Sequence, residues 1–167
     1  MKQHSDFTVL SFDPGYDRLG VAVVKEENSK TTLAFSDCVT TNKKLTHDKR
    51  LATIGETASE LIETWRPDAI AIEEVFFSKN QKTALLVSQA LGVLIYEAAK
   101  HNVPIHYYAP GQVKVAVTGH GQSDKQQVTY MVSRLVKMDS KKRHDDEYDA
   151  IAIGLTHLAC RHSPLSF

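Results

Sequence analysis

The chain is 167 residues long and 42% hydrophobic, enough for one well-buried globular domain and too little for two ordinary ones. Lys plus Arg and Asp plus Glu both number 20, so a formal net charge of zero excludes any global attraction to nucleic acid or membrane, and a polyanionic partner would need locally segregated basic residues. Cys38 and Cys160 stand far apart without metal-ligand spacing, no apolar run approaches the roughly 18 residues of a spanning helix, and "MKQHSDF" is no signal peptide, so the expectation is a soluble cytoplasmic domain with free thiols.

No repeat, low-complexity tract or Pro/Gly-rich linker divides the chain, and hydrophobic periodicity carries the reading. "TVLSF" (8 to 12) is rich in β-formers and stops at the turn Asp13-Pro14-Gly15; "LGVAVV" (19 to 24) and "TTLAFSDCVT" (31 to 40) follow, which predicts an antiparallel meander. Leu51, Ile54, Ala58, Leu61, Ile62 and Trp65 recur at helical spacing, and Arg66-Pro67-Asp68 ends that helix before a fourth strand, "AIAIEE". A second helix spans about 80 to 100, and a fifth strand, "PIHYYA", covers 104 to 109. Then come a helix from Pro110, a break at Gly119-His120-Gly121, a helix from Ser123 to about Met138, a charged loop, and a last helix from about Asp145 to Cys160. The order predicts an α/β fold with a five-stranded mixed sheet, three antiparallel strands and then parallel ones entered through right-handed crossovers, flanked by helices.

Carboxylates stand where apolar strands end. Alternation puts Asp13 on the face of Ser11 and Val9, opposite Phe12 and Leu10. It puts Glu73 with Ala71 and Ala69, and Glu74 with Ile72 and Ile70, so Glu74 is the salt-bridging or solvated acid of the pair. Asp13 and Glu73 each lie beyond a small side chain at the carboxyl end of a strand, where open α/β sheets place ligands. In "RHDDEYDAIAIG", Asp146 and Asp149 are three apart and share a helix face with Ala150 and Ile153, while Tyr148, Ile151, Ala152 and Leu155 pack elsewhere. On the sheet face of Asp13 and Glu73, that helix would bring four carboxylates together, and their repulsion calls for compensation. Two Mg²⁺ ions are the usual solution, about 3.5 to 4 Å apart in phosphodiester-cleaving sites. Taken singly, each element has a plainer reading: Asp-Pro-Gly is a common turn, and acids at a helix start complement its dipole. His144 and His157 are read as surface or capping residues.

"FDPGYDRLGVAVV", "AIEEVFFSKNQKTALLVSQALGVL", "APGQVKVAVTGHGQSDKQQV" and "DEYDAIAIGLTH" together resemble the RuvC family of Holliday-junction resolvases, within the RNase H-like fold; the resemblance runs in order from about residue 8 to 160. It implies that Asp13, Glu73, Asp146 and Asp149 are metal-binding catalytic carboxylates for two Mg²⁺ per subunit, with Mn²⁺ as a substitute. It implies that Lys114 and Lys125 contact the scissile phosphate, a role suited to a compact point charge. Phe76 would probe bases at the junction centre with Phe77 packing beneath it, and Lys79 would contact DNA; two adjacent phenylalanines more commonly belong to a core. Further implications are four-way junction DNA as substrate, a homodimer that nicks two opposed strands, and the branch-migration proteins RuvA and RuvB as partners. The helix from Lys82 to Lys100 is apolar over much of its circumference, which means deep burial or a dimer seam.

Zero net charge is low for a protein that grips DNA. Local clusters offer a remedy at Lys43, Lys44, Lys49 and Arg50, at Lys79 and Lys82, and at "KKR" 141 to 143, though solvated faces are the commoner meaning of such runs. The competing functions are another RNase H-like nuclease acting on RNA or duplex DNA, one half of an actin-like ATPase, and a non-catalytic DNA-binding module. A clasped nucleotide needs two such domains, and an intact set of four acids argues against a binding module.

Overall fold

A computed structural model of the chain describes residues 6–75 and 81–161. β1 (Phe7–Asp13), β2 (Arg18–Glu27) and β3 (Lys30–Thr40) form the expected meander. Asn28 and Ser29 both take positive φ, 50° and 62°, between paired Glu27 and Lys30, the backbone twist that a two-residue hairpin demands. β4 (Ala69–Glu73) lies parallel to β1, and β5 (Ile105–Tyr108) lies parallel to β4, giving the sheet order β3-β2-β1-β4-β5.

Five helices complete the described chain: α1 (His47–Trp65), α2 (Gln81–Lys100), α3 (Pro110–Thr118), α4 (Lys125–Leu135) and α5 (Asp145–Arg161). Strand alternation decides which side each covers. Leu10, Phe12, Val21, Val23, Ile70 and Ile72 pack with Ile54, Ala58 and Ile62 of α1 and Ala90, Leu94 and Ala98 of α2. Val9, Ala22, Val24 and Ala71 face α5 on the other side of the sheet. Removing each large aliphatic side chain from water contributes about 1.5–3 kcal/mol, so a one-residue slip of β1 or β4 would lose an entire layer.

α5 lies close against the sheet where glycines face it. A Cβ on Gly154 would meet Val24 Cγ2 at 2.8 Å and Ser11 Oγ at 2.9 Å. Ser11 Oγ donates to the Ala150 carbonyl at 2.7 Å, tying the middle of β1 to the helix. α3 and α4 cover its outer side, and Ile151, Ala152 and Leu155 therefore join the same apolar cluster as Ala150 and Ile153. The expectation that those three pack elsewhere is corrected: a helix covered on both sides has no separate polar face along its middle. His157 is likewise no surface or capping residue. It is 4% exposed, shares a hydrogen bond of 2.8 Å with Tyr108 Oη, and burial pushes its imidazole down to about 4.

Boundaries moved where side chains cap helices. Asp124, not Ser123, caps α4: its Oδ1 accepts from the Gln127 amide at 2.8 Å, and Gln127 Oε1 accepts from the Asp124 amide at 2.9 Å. The helix ends at Leu135, short of Met138, because Val136 turns extended. Gly119 closes α3 at φ 78°, donating its amide to the Val115 carbonyl at 2.8 Å. Among the described residues no helix is long and apolar enough to cross a membrane.

Candidate active site

Asp13 is the last residue of β1 and Glu73 the last of β4. The two strands run parallel and in step, Phe12 beside Ile72, so both carboxylates leave the sheet at the same end and on the α5 side. The first turns of α5 bring Asp146 and Asp149 to that end. Burial, followed by the charges of Asp149, Glu73 and Asp146, raises the Asp13 carboxyl to about 7. Burial and then Asp149 raise Glu73, against the opposing pull of Lys114 and Lys125. Asp149 is also raised, by burial first, although Lys125 holds it down. Asp13 feels all three of the others, Glu73 feels Asp149, and Asp149 feels Asp146, so the four stand within electrostatic reach at one end of the sheet.

Basic side chains now supply part of the missing compensation. Lys125 Nζ lies 3.1 Å from Asp149 Oδ2 and 3.4 Å from Asp145 Oδ2. Burial alone would lower this ammonium, but the hydrogen bond and charge of Asp149, with Asp145, raise it overall. Its position follows from the α4 cap, since Lys125 is the first residue after Asp124. Arg18 Nε stands 3.2 Å from Asp146 Oδ2, and Cys38 Sγ donates to the same oxygen at 3.8 Å. Burial, then Asp146, pushes that thiol up to about 11, so it remains a neutral donor. A cleft of about 250 Å³ is lined by Glu73, Asp149, Lys114 and Lys125 over Val113 and Ala152.

The donor set fits hard divalent cations. It consists of carboxylates at a sheet end, partly buried and mutually repelling, which oxygen-seeking cations would relieve. Among the described residues no three such side chains converge in ligating geometry, and two of the acids, Asp149 and Asp146, are paired with Lys125 and Arg18.

The doubled acids resolve differently. Asp13 feels Asp146, whereas Asp145, with its side chain 71% exposed, pairs with Lys125 and does not figure among the charges that act on Asp13. Glu74 lies past the end of β4 and is exposed. Phe76 and Lys79 lie outside the described residues. Several basic residues read as DNA grips are engaged within the protein. Buried Arg50 donates to Asp17 Oδ1 and Thr41 Oγ1 and stacks on Tyr16, its guanidinium carbon 3.9 Å from the ring centre. Lys43 pairs with Asp17 at 2.9 Å, and Lys141 and Arg143 turn inward onto Glu147.

Arg18 and Cys38 were not singled out by the sequence. The signal that could have found them is strand register: Asp13 sits opposite Gly20, which sits opposite Cys38, so all three share a face with Arg18 two residues before Gly20.

The family described as "Crossover junction endodeoxyribonuclease RuvC" matches residues 9–157. A relative of that name from Mycolicibacterium smegmatis is 39% identical over 158 residues, 94% of this chain and 84% of its own. Another from Moorella thermoacetica is 41% identical over 149 residues, 89% of each chain. Among solved structures, Thermus thermophilus RuvC in complex with Holliday junction substrate superposes with a TM-score of 0.87 at 33% identity, covering 93% of this chain and 94% of the other.

Proposed function

The chain belongs to the RuvC family of crossover junction endodeoxyribonucleases, and from that premise we propose that it resolves four-way DNA junctions by paired, symmetric nicks in recombination and repair. One observation carries the reading: Asp13, Glu73, Asp146 and Asp149 are gathered within electrostatic reach at one end of an RNase H-like sheet, with Lys114 and Lys125 beside Glu73 and Asp149. The related Thermus enzyme held with its junction substrate supports the choice of DNA.

In this reading the four carboxylates hold two Mg²⁺ ions per subunit, or Mn²⁺ in their place. When bound, the ions supply water activation and leaving-group stabilisation for phosphodiester hydrolysis, with 5′-phosphate and 3′-hydroxyl products that a ligase can seal. The protein's own groups do the rest. Lys125, released from Asp149, turns to a non-bridging phosphate oxygen, and Lys114 across the cleft flanks the same phosphate. Both stabilise charge that grows on the phosphoryl oxygens in the transition state. The hydroxyl tie from Ser11 to Ala150 keeps Asp13 and the acids of α5 at fixed separation. Phe76 stacks on a base opened at the junction centre, and Lys79 contacts the backbone.

A homodimer, seamed along α2, would present two sites to two opposed strands, and RuvA and RuvB would deliver the junction. Asp149→Asn tests the site: nicking of a synthetic junction should disappear while the junction Kd stays within about twofold. Undiminished nicking would overturn the assignment.

A further inference from the structure

The loop before α5 carries Lys141, Lys142 and Arg143, a basic run that would ordinarily face solvent or DNA. Instead two of its three cations turn inward. Glu147, one residue beyond Asp146, is among the largest fully buried side chains at 1% exposure. Its Oε2 accepts from Ser36 Oγ of β3 at 3.0 Å and from Lys141 Nζ at 3.2 Å, with Arg143 Nε at 3.7 Å. Arg143 Nε also donates to Ser36 Oγ at 3.1 Å, and its Nη2 reaches Asp139 Oδ1 at 2.6 Å. Lys141 Nζ donates in addition to the Ser36 carbonyl at 3.2 Å. A buried carboxylate is thus clasped by two cations, all anchored to one residue of an outer strand.

We propose that the Glu147–Lys141–Arg143–Ser36 clasp is a positioning device that sets the rotation of the first turn of α5, and thereby the affinity of the Asp146 and Asp149 carboxylates for divalent metal. The inference rests on the proposed role of those two acids. On a helix, adjacent residues point about 100° apart, so fixing Glu147 against β3 fixes the direction of Asp146 toward Arg18 and of Asp149 toward Glu73. The neighbouring strand holds the same turn closely. A Cβ on Gly20 would meet the Asp146 carbonyl oxygen at 2.1 Å, so the backbone of the turn is packed directly against β2. Any rotation that parted Glu147 from its cations would leave an uncompensated buried charge, so the arrangement that satisfies all members of the cluster is favoured. Glu147 touches neither substrate nor reacting atoms. It acts through its neighbours.

The test measures Mg²⁺ binding to the DNA-free protein by titration calorimetry, alongside the Mg²⁺ dependence of junction nicking. Glu147→Gln keeps the shape and removes the charge. The expected result is about a tenfold weaker Mg²⁺ affinity and a matching rise in the half-saturating Mg²⁺ for nicking. The rate at saturating metal and the junction Kd should stay within about twofold. Ile54→Val, on the other sheet face, supplies a control that lowers the Tm without moving the metal dependence. Should Glu147→Gln fail to fold, Lys141→Met, which leaves Arg143 on Glu147, should shift Mg²⁺ affinity in the same direction by about threefold. Unchanged Mg²⁺ affinity in the folded variant overturns the proposal, as does an equal shift in the Ile54→Val control. If Asp149→Asn also leaves Mg²⁺ binding unchanged, the metal-site reading itself has failed; if Asp149→Asn abolishes binding while the clasp variant does not, only the clasp has.

Discussion

Glu73 and Glu74 differ by one position and by everything around them. Glu73 ends a paired strand, is lifted by burial and by Asp149, and shares a cleft with two lysines; Glu74 is exposed past the strand end. Glu73→Gln should lower junction nicking by roughly three orders of magnitude, the scale on which one preorganised charge acts, while Glu74→Gln changes it less than about threefold. The reverse pattern, read on denaturing gels, would place the wrong acid at the site. Asp13 supplies a second prediction through pH. Its carboxyl sits at about 7 in the folded protein against 3.8 for the free group, so between those values the folded chain keeps a proton that the unfolded chain has lost. Stability of the metal-free protein therefore falls as pH rises from about 4 to 7. In chelator, Asp13→Asn should raise the Tm at pH 8 and leave it unchanged near pH 4. Buried His157, held at about 4, has the opposite sign and loses stability as pH falls below 6.5, and it cancels in the difference between variant and parent, which reports Asp13 and the acids that feel it.

Among the elements, α5 decides the site, and what lets it do so is the absence of side chains at two positions. Gly154 admits the middle of the helix against Ser11 and Val24, and Gly20 admits its start against β2. Gly20→Ala forces a Cβ onto the Asp146 backbone, which cannot rotate away as a side chain would. The expected cost is about 1–3 kcal/mol of stability, measured by urea denaturation, with nicking reduced at least tenfold because Asp146 moves with its backbone. An unchanged denaturation midpoint would show that the helix start yields freely. The helix–turn–helix of α3 and α4 plays a smaller part. The buried Ser123 shares a hydrogen bond of 2.6 Å with Thr118 across the turn, and the Asp124 cap then presents Lys125 to Asp149.

At the scale of the molecule, neutrality is resolved by internal pairing and by selective exposure. Arg50, Lys141 and Arg143 are engaged in ion pairs with acids of the chain, while Lys44, Lys49 and Lys142 are exposed. Leu85 and Tyr96, 60% and 63% exposed, lie eleven residues apart on α2 and so on one stripe, which also carries Gln89 and Gly92. If that stripe is the dimer seam, Leu85→Glu with Tyr96→Glu should give monomers in sedimentation velocity. Those monomers should nick a junction on one strand without the coupled second nick. A variant that stays dimeric would put the seam elsewhere.

The sequence by itself determined the element order, the sheet faces and the choice of Asp13 and Glu73, because strand alternation and helical spacing are local and each apolar residue declares its side. The three-residue spacing of Asp146 and Asp149 on one helix face was equally local. Only the tertiary structure decided that α5 is covered on both sides, that His157 belongs to the core, and that Arg18 and Cys38 reach Asp146. It alone turned the basic run at 141 to 143 inward onto Glu147. The reason is common to all of these: they depend on which surfaces meet across the sheet and on how closely glycines let them approach. A chain of charges and spacings does not state such distances until the layers have packed.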